Sequence, residues 1–172
     1  MRKLFYKLWR PFVIWYSNLY WRKAHKEIQV TERPTKEETL TDFVKRCSAK
    51  ILTTFIYKHD GLLEFGDTIP PPPEAYFQMK HGELKDDCDG FHSCLFHMVR
   101  NYAADCKLLE IFSLHNTFGH CVLQYNDFIC DYDRIMNIDE AKDYYTDLCE
   151  GEFIVFGVDY TTKFINLGEI KW

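Results

Sequence analysis

The run Gly119-His120-Cys121-Val122-Leu123-Gln124-Tyr125-Asn126-Asp127-Phe128-Ile129-Cys130-Asp131-Tyr132 decides the architecture. Two short apolar stretches flank an Asn-Asp pair, which is turn chemistry, so 119–132 reads as a β-hairpin. Lys107–Ser113 before it and Phe153–Asp159 and Phe164–Trp172 after it are further strand-like runs, with a helix over Ile138–Cys149 between. Upstream the pattern is helical. Thr35 and Glu38 form a capping-box pattern. Leu40, Phe43, Val44, Cys47, Ile51 and Phe55 then repeat at helical spacing, which predicts a helix over 36–57. Gly61, Gly66 and the four prolines Pro70–Pro73 make 59–73 a loop. The proline run reads as a stiff connector, with a polyproline ligand for an SH3-type partner as the other option. A short helix follows over Glu74–Lys80, ended by His81-Gly82. Another runs from Cys88 through about Arg100, with Phe91, Leu95, Met98 and Val99 facing inward. Helices first and an antiparallel sheet after them make an α+β domain.

Composition agrees with a packed body. The chain has 172 residues, 47 % hydrophobic and 17 % aromatic, enough for one sizeable core. We read residues 31–172 as that domain and 1–30 as a basic, aromatic N-terminal segment. Residues 1–28 carry seven basic groups against one acid, while the remainder carries fourteen against twenty-five. A net-acidic body argues against nucleic acid as partner. The start mimics a secretory signal. However, its apolar run Pro11–Trp21 is rich in Trp and Tyr, has no small-residue cleavage site, and is too short to span a bilayer. We therefore expect no signal-peptide secretion, and a cytoplasmic or phage-virion location. The segment either packs on its own domain, contacts a protein assembly, or lies on a membrane surface. The seven cysteines include no C-x-x-C pair, so free thiols in a reducing compartment are expected, with a zinc site the weaker alternative.

Three residues carry candidate chemistry. Cys88 lies in Lys85-Asp86-Asp87-Cys88-Asp89-Gly90-Phe91, a polar stretch that opens a helix. There the unpaired N–H groups and the positive helix end favour thiolate, the nucleophilic form. His120 opens a strand at what would be a sheet edge. Asp131 ends the next strand, and the hairpin turn brings positions 120 and 131 together. Asp133, two residues on, would share its face and is the alternative acid. Cys, His and Asp in this setting compose a nucleophile, its base and the base's orienter.

These residues resemble a family. Tyr57-Lys58-His59-Asp60, Phe65-Gly66-Asp67, Pro73-Glu74-Ala75, Asp87-Cys88-Asp89-Gly90-Phe91, Gly119-His120-Cys121-Val122-Leu123 and Cys130-Asp131-Tyr132 follow, in order, the blocks of the bacterial and phage transglutaminase-like cysteine proteinases of the papain-like superfamily. That family usually reads Gly-Asp-Cys-Asp-Asp-Tyr-Ala at the nucleophile, Gly-His-Ala-Val at the histidine and Leu-Asp-Asn at the acid. Here Asp86 stands for the first Gly, Gly90 and Phe91 for the acid and aromatic, and Tyr132 for the Asn. The resemblance covers about 50–135 and implies a papain-like, transglutaminase-like core. It implies a Cys88–His120–Asp131 triad acting on a peptide or amide substrate by hydrolysis or transamidation, with no metal or organic cofactor. Gln78 is a candidate oxyanion donor beside the backbone N–H of Cys88. The alternative is an inactive transglutaminase-like structural or interaction protein of a larger assembly, such as a phage particle.

Overall fold

Why the chain folds as it does is clearest at the helix ends. A computed structural model describes residues 2–20, 28–58 and 69–172; the predicted blocks at 59–60 and 65–67 lie outside the described residues. Helix α1 spans Arg2–Tyr20 and α2 Leu40–Leu52. The predicted start at 36 is four residues early, because two overlapping cap patterns compete. Glu38 reaches back to the Thr35 N–H at 3.0 Å but is itself held by Arg46 at 2.8 Å, closing only a turn. Thr39 is the actual cap, its hydroxyl accepting the Asp42 N–H at 3.1 Å. The predicted end at 57 is also corrected. The Thr53 and Thr54 hydroxyls donate to the Lys50 and Ile51 carbonyls and release the chain. Ile56–Tyr57 forms a strand, β1, instead of a last helical turn.

Helix α3 is Pro72–Lys80, with prolines at its first positions, where a missing N–H costs nothing. Pro70–Pro72 are buried, so the run is a helix start packed in the core, not a displayed ligand. Gly82, at φ 69°, ends α3 as the sequence predicts. Strand β2, Lys85–Asp86, pairs in parallel with β1 and anchors the turn into α4, Cys88–Val99.

Strands β3 (Cys106–Ser113), β4 (Gly119–Tyr125), β5 (Phe128–Asp131), β6 (Arg134–Asn137), β7 (Phe153–Tyr160) and β8 (Phe164–Ile170) form one antiparallel sheet in the order β6-β5-β4-β3-β7-β8. Helix α5, Ile138–Leu148, enters through a full capping box between Asn137 and Glu140. Strand β6 falls between the predicted hairpin and the predicted helix at 138, where the sequence predicts no element. The fold is α+β, three layers in section. On one face, Phe91, Leu95 and Val99 of α4 pack with Phe43 and Ile51 of α2 against Leu108, Leu123 and Cys130. On the other, Ala141 and Tyr145 of α5 cover Leu109, Val122 and Ile129. Strand alternation assigns the two sets to opposite faces.

Of the three roles open to the N-terminal segment, α1 shows packing on its own domain. Arg10 is buried in an ion pair with Glu110 of β3, and Lys3 and Lys7 reach Glu169 of β8 at 2.9 and 2.6 Å. Asn18 exchanges hydrogen bonds with the Phe164 backbone, and Tyr6 stacks on Phe112 at 4.7 Å.

Candidate active site

Asp87 caps α4, its carboxylate accepting the Asp89 N–H at 3.1 Å, and Cys88 follows as the first helical residue. The helix end needs such a cap, because its first four N–H groups have no partner within the helix. The half-buried Cys88 is carried to the sheet by α4. Its sulfur accepts the backbone N–H of Cys121, the residue after His120, at 3.3 Å. A donor aimed at sulfur favours the thiolate, while Asp86, Asp87 and Asp89 oppose it by like charge. Those three carboxylates have ligand atoms within 4.8 Å of one another, a spacing that suits a cation, and exposed acids often cluster so without one. All seven cysteines are free; burial pushes the thiols of Cys47, Cys106 and Cys130 up to about 12 and those of Cys94, Cys121 and Cys149 upward as well. Those six behave as small core hydrophobes.

His120 and Asp131 meet as the hairpin predicts, but diagonally. Leu123 pairs with Cys130, so Asp131 falls opposite Val122, on the same side of the pleat as His120 two residues away. His120 Nε2 lies 2.7 Å from Asp131 Oδ1. Burial disfavours the charge on Asp131, but the hydrogen bond and charge of His120 outweigh it and leave this carboxyl below its ordinary range. An ionised carboxylate only accepts, so Nε2 carries the proton and Nδ1 is the ring's basic nitrogen. The second carboxylate oxygen, Oδ2, accepts the Tyr145 hydroxyl of α5 at 2.9 Å. Asp133 is corrected as an acid candidate. Asp131 pairs with Arg134, which leaves Tyr132 and Asp133 as the turn between β5 and β6, with Asp133 exposed, instead of continuing the strand toward His120. Gln78 donates its amide to Glu74 on its own helix, at 3.3 Å.

Besides Tyr145, two members of the site have no role in the sequence reading. His92, one turn after Cys88, is fully buried. Its Nδ1 donates to the Cys88 carbonyl at 2.7 Å and its Nε2 accepts the Tyr132 N–H at 3.2 Å. It thereby ties the nucleophile's helix to the turn after the acid. Burial pulls its pKa down to about 4. Its spacing of four from Cys88, which puts both on one helix face, is the signal in the sequence. Tyr132 is the second. It sits at φ 53°, its ring packs 4.7 Å from Phe91 and 5.9 Å from His120, and its carbonyl accepts from Ser48.

Compared with known proteins, the chain matches no family model, and no curated protein matches it.

Proposed function

We propose that the chain is a thiol-dependent amidase or peptidase of papain-like architecture, passing an acyl group through Cys88. The observation that carries this reading is the continuous hydrogen-bonded order of Tyr145, Asp131 and His120, with the Cys88 sulfur bonded to the backbone next to that histidine. The resemblance to transglutaminase-like cysteine proteinases adds to it. In this reading Cys88 attacks the amide carbonyl carbon and its proton passes to His120 Nδ1. Asp131 holds the ring through Nε2–H and steadies the imidazolium. The backbone N–H of Cys88 takes the oxyanion. As the C–N bond breaks, Nδ1 returns the proton to the leaving nitrogen, which leaves a thioester. Water then releases an acid, or an amine releases a new amide; in either case the attacker's proton returns through His120 to sulfur.

The rival reading, an inactive structural protein of a larger assembly, draws on the exposed outer face of α1. Labelling with a thiol-directed electrophile and mapping the modified cysteine separates the two. The active-site reading expects Cys88 to react well ahead of the other six and His120→Ala to remove that advantage. Slow, uniform labelling unaffected by His120→Ala would leave only the scaffold.

A further inference from the structure

Helix α1 is inverted relative to an ordinary surface helix. Its bases face the domain, where Arg10 meets Glu110 and Lys3 and Lys7 meet Glu169. Its outward pole holds Leu4, Leu8, Phe12, Trp15, Tyr16 and Leu19, exposed by 63, 71, 46, 58, 36 and 48 %. At about 100° per residue these six fall within one half of the helix circumference, opposite the buried Arg10, Ile14 and Ser17. With side chains of about 150–250 Å², those exposures leave an apolar patch on the order of 650 Å², larger than most monomers show. The clamps onto Glu110 and Glu169 fix this orientation, so the apolar side is outward by construction.

We propose that this face seats on an anionic lipid surface, with α1 lying in the plane of the headgroups. Three observations choose that occupant. The stripe runs along one side of a surface helix, a shape that sinks into a soft layer without a matching groove. It includes Trp15 and Tyr16, residue types that sit at headgroup depth. Charge is the third: residues 1–28 carry seven bases against one acid in an otherwise acidic chain, and Lys3 and Lys7 share one acidic partner, Glu169, which leaves that end of α1 net positive. A second copy fits less well. Helix-on-helix contact would cover only part of the patch, short of the roughly 800 Å² per partner of a stable interface.

The test uses the full chain and sedimentation with vesicles of phosphatidylcholine mixed with phosphatidylglycerol, or of phosphatidylcholine alone. The expected result is binding to the mixed vesicles at least tenfold tighter than to the neutral ones, and a loss of at least tenfold in L8E/F12E. W15Q/L19Q samples the same stripe independently, and circular dichroism checks that each variant folds. Cys88→Ala should bind like the parent, which separates this inference from the catalytic one. Failure of the parent to bind mixed vesicles, binding indifferent to both double variants, or self-association that both abolish would overturn the proposal.

Discussion

Replacing His92 by Phe has two effects of opposite sign, and pH separates them. At neutral pH the variant loses the acceptor for the Tyr132 N–H and the donor to the Cys88 carbonyl. An orphaned buried N–H costs about 1–3 kcal/mol, so the variant should be about 2 kcal/mol less stable than the parent. The parent, however, carries a penalty in acid that the variant lacks. The ordinary pKa of 6.5 falls to about 4 in the folded state, because burial disfavours the imidazolium. A depressed folded pKa means the unfolded chain binds the proton first. The parent's stability is therefore full above pH 6.5 and is lost as pH falls toward 4. At about 1.4 kcal/mol per unit, that loss is about 3 kcal/mol by pH 4. The parent's advantage should shrink across the window and reverse near its lower end. Urea denaturation followed by tryptophan fluorescence at stepped pH measures it. His97, whose pKa burial also lowers, is present in both proteins and cancels. A difference between parent and variant that stays constant from pH 6.5 to 4 would refute the reasoning.

Asp131→Asn keeps the shape and removes the charge. A charge-assisted hydrogen bond contributes about 1.5–3 kcal/mol, so the midpoint of Cys88 alkylation against pH should rise by about 1–2 units, with little change in the circular dichroism spectrum; an unmoved midpoint would remove Asp131 from the proposed machinery. Gly90→Ala should destabilise the fold by about 1–3 kcal/mol, since a Cβ there would come within 2.4 Å of the Asp86 side chain. Adding Asp86→Gly should recover most of that loss in thermal melts, and equal melting of the single and double variants would count against the contact.

What the sequence showed and what it hid divide along the range of the interactions involved. Helix α4, the hairpin and α5 are written in local periodicity and caps, and the register that joins His120 to Asp131 follows from the position of one turn. Asn126, at φ 48°, makes that turn, and its side chain takes the N–H groups of Ala104 and Asp105 as well. The β1–β2 pair was hidden because two residues carry no period and their partners lie 29 positions apart. Strand β6 was hidden because only Met136 of its four residues is buried. Tyr145 has no role in the sequence reading, which gives only a helix over 138–149. Only the packing of α5 across the sheet brings its hydroxyl to Asp131. The start of α2 was misplaced because Thr35/Glu38 and Thr39/Asp42 are both plausible caps, and the choice rests on Arg46, nearly two turns inside the helix.

The departures from the pattern the chain resembles are not independent of one another. Asp86 replaces a glycine and Gly90 an acid, and in space the Asp86 side chain fills the volume a Cβ at 90 would need. The exchange keeps one carboxylate and one bare Cα in the same contact. His92 replaces the alanine and Tyr132 the asparagine, and these two are bonded to each other. An asparagine tolerates a left-handed backbone; a tyrosine at φ 53° is strained there. That strain is held by both of its backbone groups, the N–H on His92 and the carbonyl on Ser48, and by its ring against Phe91. The changes are thus two repacked contacts around the first turn of α4 and the turn after β5. Both leave the residues Cys88, His120 and Asp131 as they are.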